Sequence, residues 1–185
     1  MAYKCPHSTM KNVIVLFLLG FFSCCSIFAQ KIKKKEIDKF TKAEVIETSL
    51  ETMYSVNLLG TGWCNKFEFQ IRRTDGMYTM PANILMNKVV KYTENDGVTF
   101  LLDNDDTVDL KTTFTGIGGE AYAKGYWFRT SFLLTESDVE KLKKNKVTAI
   151  RINYIDGHYD KDIKENKQDL IQRSLMLFEN ITILS

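Results

Sequence analysis

Three Asp-Gly pairs, Asp75-Gly76, Asp96-Gly97 and Asp156-Gly157, each fall between segments in which apolar and polar residues alternate. A two-residue hairpin turn whose twist matches its strands needs positive φ at its central residues, which Gly adopts freely and Asp tolerates. Such a pair within alternating sequence predicts a hairpin, and strands joined so tightly must run antiparallel. Before the first pair, "KFEFQIRRT" sets Phe67, Phe69 and Ile71 on one face and Glu68, Gln70 and Arg72 on the other.

The same period of two recurs elsewhere. It joins Ile46, Leu50, Tyr54 and Val56; Val98, Phe100 and Leu102; Val108, Leu110 and Phe114; Tyr126, Phe128, Phe132 and Leu134; and Ile150, Ile152 and Tyr154. At least six strands are expected. Pro81, in "MPAN", predicts a bulge, an edge or a loop, because proline has no N–H for a ladder.

Two helices interrupt the alternation. "TESDVEKLKKNK" opens with overlapping capping boxes, Thr135 with Asp138 and Ser137 with Glu140, and ends in lysines that suit a helix C-terminus. Val139 and Leu142 are its expected buried contacts. From about Lys164 to Phe178, residues Leu170, Ile171, Ser174, Leu175 and Phe178 form one stripe at helical spacing. A one-sided helix must lie on something apolar, here a sheet face. The expected class is α+β, mainly β: an antiparallel sandwich or roll with one short helix and one C-terminal amphipathic helix packed on the sheet.

Ahead of this region, Lys11 precedes an apolar run from Val13 to Phe22, and "FFSCCSIFAQ" leads to the cluster "KIKKK" at 31–35. A charged start, a short apolar core and a small exit residue compose a secretory signal. Cleavage between Ala29 and Gln30 is expected, with residues 1–29 as signal peptide and 30–185 as one β-rich domain. Met10 competes with Met1 as initiator, because "MKNVIVLFLLG" is the more compact signal. Lipidation at Cys24 or Cys25 is the less favoured route, since "GFFSCC" carries phenylalanines where lipoprotein signals prefer small or aliphatic residues. A membrane span retained in the mature chain is not expected, for the apolar stretch is at the lower limit of spanning length.

Cleavage leaves Cys64 alone, which excludes an internal disulfide or a multi-cysteine metal site. It also removes Lys4 and Lys11 with no acids, so the formal charge falls from +2 to zero. A neutral chain lacks the electrostatic footprint of a nucleic-acid binder. The "KIKKK" cluster reads as a solvated tail at the new N-terminus.

Few residues suggest chemistry. His158, the one histidine beyond the leader, flanks a turn, and no nucleophile motif accompanies it. Asp103, Asp105, Asp106 and Asp109 could offer oxygens to calcium, with the first three the nearest to a ligand set. The loop lacks the glycine and terminal glutamate of a helix-loop-helix site, and a polar hairpin turn accounts for it. The glycines of "TGIGGEAYAKGYW" fit neither phosphate-binding spacing, so no cofactor is expected. Trp63, Tyr122, Tyr126 and Trp127 lie near glycine-containing loops, where rings can stack on sugars or anchor a protein partner.

"DKFTKAEVIETSLE" (38–51), "FLLDNDDTVDL" (100–110) and "DVEKLKKNKVTAIRINYIDGHYDKDIKEN" (138–166) resemble stretches of small secreted proteins of Bacteroidota-type bacteria. The resemblance implies an exported, single-domain, β-rich protein with a C-terminal helix, and assigns no residue a role. The expected function is that of a non-enzymatic binding protein of the periplasm or cell envelope, secreted after cleavage, with an envelope protein or a glycan as partner. An envelope hydrolase with a carboxylate-based site and a structural subunit pairing through a strand edge are the two competing expectations.

Overall fold

The computed structural model describes residues 30–57, 64–112, 116–118, 120–122 and 125–182. Residues 1–29, with Cys24 and Cys25, and Trp63 lie outside them. The strands are β1 (Ile32–Ile37), β2 (Glu44–Thr48), β3 (Glu51–Asn57), β4 (Cys64–Phe69), β5 (Arg72–Thr74), β6 (Met77–Met86), β7 (Val90–Tyr92), β8 (Gly97–Leu102) and β9 (Thr107–Lys111). They continue with β10 (Gly116–Gly118), β11 (Glu120–Tyr122), β12 (Gly125–Leu134), β13 (Val147–Tyr154) and β14 (Gly157–Asp162). Helix α1 (Glu136–Lys144) precedes β13, and a 3-10 turn (Glu165–Lys167) leads into helix α2 (Leu170–Thr182). Every strand pairing is antiparallel, and the protein is α+β, mainly β.

The larger sheet runs β1-β2-β5-β6-β12-β11, and β4 joins β6 beyond the end of β5, carrying β3 on its far side. The second sheet runs β14-β13-β8-β9, and β7 pairs with β10. The two sheets meet across one core, where Phe67 of β4 contacts Phe100 of β8 edge to face, with centroids 6.2 Å apart. Such aromatic pairs favour offset or perpendicular rings because of their quadrupoles.

The three Asp-Gly pairs take three different roles. Asp75 and Gly76, at φ 45° and 84°, form the turn between β5 and β6 as expected. The β13–β14 turn is set one residue earlier, on Ile155 and Asp156, with Gly157 facing Tyr154 inside the ladder. Asp96-Gly97 is a corner between sheets rather than a hairpin. The Asp96 carboxylate accepts from the Thr93 N–H (2.7 Å) and hydroxyl (2.9 Å), and the chain then enters β8. The run from Ile46 to Val56 is likewise two strands, β2 and β3, broken where Leu50 turns outward.

Pro81 sits inside β6, opposite Ser131 of β12. Its carbonyl accepts the Gln70 N–H at 3.0 Å, so its nitrogen faces the gap between β4 and β5, where no ladder donor is required. Thr135 and Asp138 form the capping box of α1, and Val139 and Leu142 are its buried side chains. In α2 the expected stripe of Leu170, Ile171, Ser174, Leu175 and Phe178 is buried throughout. Phe178 meets Tyr78 of β6 edge to face at 5.4 Å, which seats α2 on the larger sheet, and the Ser174 hydroxyl donates to the Leu170 carbonyl. "KIKKK" forms most of β1 and is not a tail.

Candidate functional site

Among the described residues, the expected aromatic residues Tyr122, Tyr126 and Trp127 lie on the paired strands β11 and β12. Tyr126 and Trp127 are neighbours on β12, so the strand's period of two sends them to opposite faces, Tyr126 beside Met86 and Trp127 beside Leu85. Tyr122 stands opposite Gly125 on β11, and Trp63 is outside the described residues.

Two aspartates of the β8–β9 turn, Asp103 and Asp106, are occupied locally. Asp103 accepts from the Lys146 N–H at 3.2 Å, while Asp106 accepts from the Thr107 N–H at 2.8 Å and pairs with Lys141 at 2.9 Å. The lysine and the backbone donor hold the Asp106 carboxyl below its ordinary range. Asp105 takes φ 62° at the tip. Among the described residues no group of three or more His, Cys, Asp or Glu is placed to hold a metal ion.

The structure directs attention to β14, which borders two concavities. On the outer face of the second sheet lies an open depression of about 610 Å³. Strand register puts Asp109, Thr99, Arg151 and Asp160 in one row across it. Arg151 grips Asp160 with two hydrogen bonds, 2.8 Å from Nε and 2.7 Å from its terminal nitrogen. That grip lowers the Asp160 carboxyl and raises the guanidinium. The pair is solvent-exposed and saturated, so it has little left to offer a ligand. His158 is half exposed beside it, 3.8 Å from Asp160.

The second concavity is the seam where β14 approaches β3, a cleft of about 460 Å³. Strand β3 pairs with β4 on one side, and its other edge has no strand partner among the described residues. Two contacts bridge the seam. Tyr54 and Tyr159 lie 6.1 Å apart between ring centroids, and Lys167 Nζ donates to the Thr52 carbonyl at 2.5 Å. Around them stand Lys161, Lys164 and Lys167, with Ser55, Asn57 and Asp162. None of the three lysines has a carboxylate partner among the described residues. Three ammonium groups against one carboxylate make the cleft cationic.

Burial pushes the Tyr54 phenol far above its ordinary range, with Tyr159 and Tyr92 adding to the effect. Its buried hydroxyl has no hydrogen-bond partner among the described residues. Cys64 is buried at the start of β4, and His158 is on the other sheet's edge strand. Neither Cys64 nor His158 lines the seam, which offers charge and hydrogen-bonding groups. Sequence reading missed it because Lys161, Lys164 and Lys167 look like ordinary surface lysines until the sheet order makes β3 an edge.

Compared with protein families, with curated proteins and with solved structures, the chain matches none. No described helix is long and apolar enough to cross a membrane.

Proposed function

We propose that this is an exported, non-enzymatic binding protein of the bacterial envelope that captures an acidic, extended segment of a protein partner along β3. The observation that supports this reading is the coincidence on one cleft of the seven-residue strand β3, whose outer edge has no strand partner among the described residues, with three lysines that have no carboxylate partner among them. An added strand gains main-chain hydrogen bonds from the edge, while the lysines select its charge. Lysines on an edge also discourage pairing with apolar strands, which keeps the edge selective. Among the described residues, hydrogen-bond donors hold the Asp38, Asp106 and Asp160 carboxyls below their ordinary range, the wrong direction for these three to serve as the proton donor of a carboxylate-based hydrolase.

Heptapeptides alternating Glu with β-branched residues are the direct probe. They are expected to bind, and counterparts with Gln for Glu are expected to bind about tenfold or more weakly. Lys164→Gln/Lys167→Gln should lose most of the difference, and about 0.5 M salt should weaken binding of the acidic series. Equal affinity for the acidic and Gln series, or no binding of either, refutes the reading.

A further inference from the structure

The β1–β2 hairpin differs in character from the seam: its tip exposes an apolar ring, and residues 31–44 carry six lysines against three carboxylates. Phe40, at the tip, is 94% exposed, the highest value among the described large apolar side chains. The loop that displays it is internally bonded. Asp38 Oδ1 accepts from the Phe40 N–H (2.9 Å), the Thr41 N–H (2.7 Å) and the Thr41 hydroxyl (3.0 Å). The Asp38 N–H donates to the Ala43 carbonyl at 2.8 Å, and Lys42 closes the turn at φ 62°. These bonds use the backbone around Phe40 and leave its ring in water.

Two further exposed apolar side chains stand at this end, on opposite faces of the sheet by register. Ile37, the last residue of β1, is 67% exposed, and Met77, the first of β6, is 63% exposed. The β5–β6 turn is tied to the same place, since the Glu44 N–H donates to the Asp75 carboxylate at 3.0 Å. Lys39 and Lys42 flank Phe40 in the loop, Lys33 lies farther back on β1, and Lys31 precedes that strand. These four have no carboxylate partner among the described residues, whereas Lys34 and Lys35 pair with Glu36 and Glu44.

A projecting ring between unpaired ammonium groups matches the bilayer interface, where apolar groups enter the acyl boundary and cations stay with the phosphates. We infer that the β1–β2 hairpin docks this protein on an anionic lipid surface, with Phe40 inserted and Lys39 and Lys42 on the headgroups. Charge complementarity selects lipids with anionic headgroups, since residues 31–44 carry six lysines against the three carboxylates of Glu36, Asp38 and Glu44. This docking is independent of the β3 seam.

The test is co-sedimentation with vesicles, using the chain as the producing cell leaves it, its N-terminus read by mass spectrometry and all variants in the same form. Wild type is expected to sediment with vesicles containing phosphatidylglycerol and far less with pure phosphatidylcholine, and to be released by about 0.5 M salt. Phe40→Ser and Lys39→Gln/Lys42→Gln should each weaken binding about tenfold or more. Lys164→Gln/Lys167→Gln should bind as wild type, which separates this surface from the seam. Phe40 has no packing role, so its variant keeps the fold. Failure of wild type to bind the anionic vesicles, or undiminished binding by Phe40→Ser, overturns the inference. So does Phe40-dependent attachment to native membranes but not to protein-free vesicles, which would assign the tip to a protein.

Discussion

Replacing Gly97 by Ala is expected to destabilise the protein by about 3 kcal/mol or more. A Cβ built on Gly97 would lie 2.0 Å from the Leu110 carbonyl oxygen and 3.0 Å from both the Leu110 carbonyl carbon and Lys111 Cα. All three are backbone atoms, so no side-chain rotamer relieves the clash. Relief requires β8 and β9 to separate where Val98 and Leu110, both buried, face each other. Urea denaturation of the variant should show a much lower midpoint. Gly76→Ala is the control. At Gly76 nothing lies within 4 Å and only the positive φ of 84° is strained, so a loss of about 1 kcal/mol is expected. Equal losses at the two positions would mean that close strand approach is not what Gly97 provides.

Phe67→Ala is the second large effect, at about 3–5 kcal/mol. Phe67 is fully buried, stacks on Tyr54 at 6.4 Å, touches Phe69 at 6.4 Å and meets Phe100 of the opposite sheet at 6.2 Å. Truncation removes the ring and leaves a cavity between sheets that these stiff neighbours can fill only in part. Leu133→Ala, on a side chain 59% exposed, should stay within about 0.5 kcal/mol of wild type by the same denaturation measurement. A small effect at Phe67 would contradict the two-sheet core.

The features legible in the sequence are those fixed by near neighbours. The capping box of α1 joins Thr135 to Asp138 three positions on, and the buried stripe of α2 follows from the helical repeat alone. Alternation marked Phe67, Phe69, Phe100 and Ile152 as core for the same reason. What stayed hidden depends on distant pairing. The chemistry of Asp96-Gly97 equals that of Asp75-Gly76, but β7 pairs with β10 and β8 with β13, so the former becomes a corner. Leu50 continued an apolar pattern that the Thr48 hydroxyl breaks by accepting the Ile71 N–H at 2.9 Å, 23 residues away in sequence. The lysine seam is the extreme case, since Lys167 and Thr52 are 115 residues apart and meet only once both sheets exist.

Amide hydrogen exchange on β3, with and without an acidic alternating heptapeptide, tests the capture of a strand most directly. The expected result is selective protection of those β3 amides, within residues 51–57, that do not already bond to β4, lost in Lys164→Gln/Lys167→Gln. Unchanged exchange along β3 while the peptide is bound, or protection confined to β1, β9 or β11, would contradict it.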